Sequence, residues 1–225
     1  MDIKKYWNKS HIKNIYSKSS SYIASIELKF PKESKILDIG GGQGQDAAYL
    51  TLKDHIVTII DISTYAKEKV ELTYPKVKFI IHDIANIRYP FKDNSFNIVY
   101  SRLTLQYFKP EEMINIYKEI NRILSSKGAV YITVKSTKDK QEMIDLKNKS
   151  KEISRGVFED DGIFKTRFTH EQIRQQLNMA GINSFKINEI SEPLEKANKY
   201  GHNKLLLTEI IFKKTTLQII CFFGY

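Results

Sequence analysis

A chain of 225 residues with 41% hydrophobic content is long enough to bury a full core and short enough to be one domain. The start, MDIKKYWNKS, is polar where a secretory leader needs an apolar run, and no stretch reaches the ~20 apolar residues of a membrane span, so a cytoplasmic protein with no membrane partner is expected. The single cysteine, Cys221, excludes an internal disulfide framework and a cysteine-ligated zinc site, while a formal charge of +10 raises the question of a nucleic-acid partner.

The lysines are spread along the whole chain, which favours a solvated basic surface over a phosphate track. In chain order, residues 1–34 read as an N-terminal helical lid, with Tyr6 and Trp7 placed either to fold over a ligand or to pack on the domain. Lys35 to Ile39 is a short buried strand, and Asp46 to Leu52 a helix behind four glycines. HIVTII, from His55 to Ile60, is a β-branched strand ending at Asp61, followed by a helix from about Thr64 to Leu72. VKFII and FNIVY, ending at Ile81 and Tyr100, make two more strands. Strands separated by helices in this rhythm imply a parallel sheet covered on both faces.

Pro110 stands at a first helical position, and Met113, Ile116, Tyr117, Ile120, Ile123 and Leu124 follow at helical spacing, with a stop expected near Lys127-Gly128. A fifth strand is read from Ala129 to Val134. The densely charged stretch from Ser136 to Arg155 mixes both signs and resembles an exposed helix. Thr169 with Gln172 forms a capping-box signature, and Gly181 ends that helix. Strands around Phe185 to Ile190 and Lys204 to Phe212 complete the sheet, which leaves residues 137–168 as an insertion over the substrate side. The single domain then runs over 1–215, with 216–225 an apolar tail that is an edge strand, a dimer contact or a frayed end.

The stretch KILDIGGGQGQDAAYL carries the chemistry. A dinucleotide fingerprint would need glycines at 40, 42 and 45, but position 45 is Gln45 and the third glycine is Gly44. Asp38, two residues before Gly40, is an awkward neighbour for a pyrophosphate and suits a cation. S-adenosyl-L-methionine, with a sulfonium, an ammonium and no phosphate, fits an acid beside a bare glycine turn.

On these residues the chain resembles the class I S-adenosylmethionine-dependent methyltransferases, from about Lys35 to Val134 and more weakly to Phe212. LDIGGGQG is similar to that family's first motif, and Asp61, 23 residues beyond Asp38, falls where the family carries its ribose-binding acid. HDIANIRYPFKDNSFNIVYS resembles its third and fourth motifs, with Asp83 and Ile84 facing the adenine, and EINRILSSKGAVYITV the helix-turn-strand that follows. The resemblance implies a doubly wound Rossmann-like α/β fold with strand order 3-2-1-4-5-7-6 and strand 7 antiparallel. It also implies a cofactor site of Asp38, Gly40, Gly42, Gly44, Gln45, Asp61, Ile62, Asp83, Ile84 and Ser101.

Two departures bear on the acceptor. Asn97 replaces an acid common in relatives at a position that supports a turn. SRLTLQYF, after the fourth strand, lacks the Asn/Asp-Pro-Pro-Tyr/Phe sequence that amino-methylating nucleic-acid enzymes use, and no core cysteine is present for base C5 methylation. A small-molecule acceptor is expected, held by Arg102, Gln106 and Tyr107; an RNA-modifying enzyme and a non-catalytic cofactor-binding protein are the alternatives. Transfer from a sulfonium asks chiefly for alignment, with a general base needed only for a hydroxyl acceptor. His202, in the loop before the last strand, is the candidate base; the chain is a monomer or homodimer, and no metal is expected.

Overall fold

Residues Lys35–Ile39 read as a continuous apolar run around one acid because the strand they form, β1, is covered on both faces and paired on both edges. The computed structural model describes residues 2–14, 18–86, 88–194 and 196–214; the tail 216–225 lies outside them. The chain begins with helices α1 (Ile3–Lys13) and α2 (Ser21–Ile26), then alternates β1, α3 (Gln45–Thr51), β2 (Ile56–Asp61), α4 (Thr64–Thr73), β3 (Lys78–Ile81) and β4 (Phe96–Arg102). A 3-10 turn (Leu105–Tyr107) leads to α5 (Pro110–Ile123) and β5 (Leu124–Lys135). Next come α6 (Lys140–Lys149), the short strands β6 (Lys151–Ser154), β7 (Val157–Asp160) and β8 (Ile163–Thr166), α7 (His170–Met179), and finally β9 (Phe185–Pro193) and β10 (Lys204–Lys213).

The main sheet has seven strands in the order β3-β2-β1-β4-β5-β10-β9, and β10 runs antiparallel to both β5 and β9. This is the expected Rossmann-like order 3-2-1-4-5-7-6, with the last strand inserted antiparallel. One face packs on α5 and α7 through Leu37, Val99, Ile116, Ile120, Val130 and Ile173. The other packs on α2, α3 and α4 through Ile23, Ile36, Leu50, Ile59, Val70 and Tyr100. Helix α5 earns its place by period: Met113, Ile116, Tyr117, Ile120 and Ile123 share one buried stripe, each contributing on the order of 1.5–3 kcal/mol by leaving water.

Local signals set the helix starts. Thr169 Oγ1 accepts from the Gln172 N–H at 3.3 Å and the Gln172 side chain accepts from the Thr169 N–H at 2.9 Å, the reciprocal cap expected of that pair. Asn97 Oδ1 accepts from the Lys35 N–H at 2.8 Å, so the amide pins the start of β1.

Two elements differ from the sequence reading. The charged stretch after Ser136 is helical only over Lys140–Lys149; Ser150 turns extended, and Lys151–Ser154 pairs with β7, so strand pairing overrides helical composition. Likewise β5 starts at Leu124 and not Ala129: Leu124 already lies opposite Phe96, and an irregularity follows before Ile98 meets Ala129. The three short strands form a sheet of their own, β6-β7-β8, and β8 packs over the 3-10 turn that follows β4. No helix among the described residues is long and apolar enough to cross a membrane.

Candidate active site

The turn between β1 and α3 is bare because it has no room for side chains. Gly40 gives its N–H to Ile60 O at 2.7 Å, holds φ at +70°, and a Cβ there would overlap the Thr104 side chain. Gly42, at φ +50°, would set a Cβ 2.8 Å from His11 Cε1. The opposite wall is strained too: Leu103, just past β4, holds φ at +57°, and Thr104 Oγ1 donates to Gly40 O at 3.1 Å.

Two buried acids flank this turn. Asp38 is 2% exposed, and its Oδ2 finds no hydrogen-bond partner among the described residues. Burial, with Asp46 and Asp61 adding like charge, holds the Asp38 carboxyl well above the usual carboxylate range, against an opposing pull from Arg102. An orphaned buried carboxylate oxygen beside backbone too tight for a Cβ fits a cation, as the ammonium end of S-adenosylmethionine would be. Asp61, at the end of β2, accepts from Gly42 N–H at 3.1 Å and from Ser63 N–H at 2.9 Å. Burial raises its pKa, and those N–H bonds together with His11 oppose the rise.

Helix α1 lies across the turn. Its inner face presents Tyr6, Trp7, Asn8 and His11, all half-buried. Asn8 Oδ1 accepts from Ser63 Oγ at 2.8 Å and its amide donates to Thr64 Oγ1 at 3.0 Å, while Trp7 meets Tyr107 edge to face at 4.8 Å. The Gln43 amide donates to His11 O and Asn14 O at 3.0 and 2.6 Å. Burial lowers the His11 pKa, and Asp61 opposes that. The chain returns at Ser20, whose N–H and hydroxyl both donate to Asp46 in the first turn of α3, at 2.6 and 2.8 Å; Tyr100 donates to the same carboxylate at 2.6 Å.

The remaining sequence-named residues fall in different places. Gln45 opens α3 and Ile62 follows Asp61 half-buried. Asp83 accepts from the Ala85 N–H at 3.0 Å, making a turn that buries Ile84, beyond β3. Ser101 is fully buried and donates to Ile39 O at 3.0 Å, tying β4 to β1 below the glycines. Tyr107 faces α1, as given above. Arg102 is ion-paired: its Nε and Nη2 donate to Glu192 Oε2 at 3.1 and 2.7 Å, and although burial works against its charge, Glu192 outweighs that and raises its pKa.

Gln106 and His202 lie apart from the glycine turn. Gln106 is 4% exposed with its Oε1 accepting from the Lys135 N–H at 2.9 Å, while its carbonyl accepts from Thr166 Oγ1; it braces the end of β5 and β8. His202 is exposed in the β9–β10 hairpin at the sheet's outer edge, where its backbone pairs with Asn198 and its ring lies 6.1 Å from Tyr200. That hairpin reaches Asp145 of α6 through Lys199 and Tyr200, and among the described residues no bond links His202 to the glycine turn.

Sequence reasoning missed Asn8, His11, Ser20, Asp46, Tyr100, Thr104 and Glu192. The polar, ring-bearing stripe Trp7-Asn8-His11 was a usable signal at helical spacing, and Asp46 one turn into α3 another. Nothing local marks Glu192, an acid in a polar strand that burial alone singles out. The open clefts, one of about 380 Å³ beside Asn97 and Ala129 and one beside Glu33 and Ile56, sit at the amino ends of the strands, where an open parallel sheet does not bind ligand.

Residues 37–132 match a family model described as a methyltransferase domain. The search of the curated proteins returns no match. Among solved structures, a chain described as a SAM-dependent methyltransferase from Methanosarcina mazei superposes with a TM-score of 0.69 at 22% identity, covering 88% of this chain and 99% of that one. A SAM-dependent methyltransferase from Anabaena variabilis gives 0.67 at 17% identity, covering 94% and 93%. The 1,6-didemethyltoxoflavin-N1-methyltransferase of Burkholderia thailandensis, solved with 1,6-didemethyltoxoflavin and S-adenosylhomocysteine, gives 0.62 at 18% identity, covering 87% and 78%. Residues 37–132 are therefore similar to a methyltransferase domain, and the chain has the fold of the class I S-adenosylmethionine-dependent methyltransferases.

Proposed function

We propose that the protein transfers a methyl group from S-adenosylmethionine to a small-molecule acceptor. The observation that carries this reading is the buried, unpartnered Asp38 Oδ2 beside a turn too tight for side chains. When bound, S-adenosylmethionine supplies an already activated sulfonium methyl. The chain's own residues would bind, orient and exclude water: Asp38 would hold the ammonium, Asp61 at the end of β2 the ribose hydroxyls, and Asp83 with Ile84 the adenine. Helix α1 and the Ser20–Asp46 contact close the site from above, and Tyr107 with Arg102 borders the acceptor. No residue beside the turn is required as a base if the acceptor presents a free lone pair.

The small-molecule reading is supported by the cover itself, since Trp7 of α1 and strand β8 both pack on the 3-10 turn that follows β4, where a nucleic acid would need an open groove. Incubation of the protein with cell extract and methyl-labelled donor, followed by isolation of the labelled compound, tests it. Label in a low-molecular-weight compound is expected. Label in RNA places the acceptor among nucleic acids, and saturable donor binding with no label in any fraction makes the protein a binder alone.

A further inference from the structure

Strand alternation sets Arg102, Thr133 and Lys135 on the same face of the sheet, with Arg102 opposite Thr133 and Lys135 two residues further along β5. This row lies at the carboxyl edge next to the glycine turn. Arg167, which follows β8 and is 5% exposed, reaches the same neighbourhood from above. Its Nη2 and the Lys135 ammonium both lie against one oxygen of Glu142 on α6, at 3.3 and 3.4 Å.

The charge does not close. Two largely buried cations share a single carboxylate oxygen, and both distances are long for charge-assisted bonds. Arg167 Nε, Glu142 Oε2 and, on the floor, Thr133 Oγ1 are buried and find no hydrogen-bond partner among the described residues. Arg102, opposite Thr133, is already neutralised by Glu192, so the excess rests with Arg167 and Lys135. A buried guanidinium with an idle N–H beside a second cation is a poor way to tie an insertion to a sheet, because each unmet donor carries its desolvation cost. It is a good way to hold an oxyanion, for which the guanidinium edge and a lysine supply directed donors.

We propose that Arg167 and Lys135 form an anion subsite for the methyl acceptor, which would carry a carboxylate or a phosphate, with Glu142 holding the two cations until the anion displaces it. This rests on the methyl-transfer reading, since it places the acceptor beneath α6 and β8. The residues that brace the subsite are already fixed: Gln106 accepts from the Lys135 N–H, and Thr166, next to Arg167, donates to Gln106 O.

The test uses the whole protein saturated with S-adenosylhomocysteine, titrated by calorimetry with inorganic phosphate and separately with acetate. Saturable binding of at least one is expected, weakened about tenfold or more by Arg167→Gln or Lys135→Met and strengthened by Glu142→Gln, which removes the competing carboxylate. Preference for phosphate or acetate identifies the acceptor's anion. The Glu142→Gln arm separates the proposal from an ion pair that only ties elements together, which would lose stability and gain no anion affinity. If Arg167→Gln does not fold, Lys135→Met and Glu142→Gln decide. Wild-type protein that binds S-adenosylhomocysteine but neither anion, or cation-removing variants that bind anions as wild type does, would overturn the subsite and leave methyl transfer standing. Failure of S-adenosylhomocysteine itself to bind would overturn the underlying reading instead.

Discussion

Ser20 gives both its backbone N–H and its hydroxyl to the Asp46 carboxylate, so the segment that returns from α1 is fastened to the first turn of the helix behind the glycines. Tyr100 completes the set from β4. Removing the carboxylate by Asp46→Ala strands three donors and should cost on the order of 3 kcal/mol. We expect early proteolytic cleavage between α1 and α2 in this variant, followed by mass spectrometry, with the 35–213 body resistant. Cleavage no faster than in wild type would mean that the fastening lies elsewhere.

Asp61 should govern cofactor affinity. If Asp61 takes the ribose hydroxyls as proposed, replacing it with alanine removes that acceptor and frees the Gly42 N–H, so S-adenosylhomocysteine should bind about 2 kcal/mol more weakly, roughly thirtyfold. Calorimetry on a variant with wild-type circular dichroism measures this. Unchanged affinity removes Asp61 from the site.

The raised pKa of Asp38 makes binding pH-dependent with a fixed sign. In the free protein the folded value lies above the unfolded one, so its favourable contribution to stability is present below the unfolded pKa and is lost as pH rises through the folded value. A bound cation facing Asp38 favours the ionised carboxylate. S-adenosylmethionine affinity should therefore rise with pH through that window, with proton release on binding, and Asp38→Asn should flatten the slope. Calorimetry in two buffers of different ionisation enthalpy counts the protons; net uptake contradicts the assignment.

Much of this was legible from the residues. The strands, the glycine turn and the helix caps follow from patterns within a few positions of each other, since strand period, turn chemistry and caps are local; the sheet order came from the family resemblance and not from those patterns. What was not legible depends on distant pairing. Lys151–Ser154 is a strand because β7 lies beside it, and Gln106 is a brace because Lys135 and Thr166 come to it from residues far along the chain. The place of His202 depends on distant pairing too: its loop joins β9 and β10, which lie beyond β5 from the glycine turn.

Arg102 illustrates how a surface-like residue becomes structural. Truncating it leaves Glu192, 4% exposed, without its cation, so Arg102→Ala should lower stability by about 2–3 kcal/mol, and adding Glu192→Gln should recover most of the loss. Chemical denaturation of the single and double variants measures the coupling. A double variant as unstable as the single one would show that the pair is not what stabilises β4 against β9.

The antiparallel placement of β10 also orders events during synthesis. Among the described residues, the strand that fills the gap between β5 and β9 is the last of the sheet to leave the ribosome, so one long edge of β5 stays open until residue 213 emerges, and β9 lacks its described sheet neighbour before then. Non-local closure of this kind is slow and exposes a strand edge to other nascent chains. Pulse-labelled hydrogen exchange during refolding is expected to show the amides of β9 and β10 gaining protection together and after those of β1, β2 and β4, which makes the nascent chain a candidate for chaperone capture at the β5 edge.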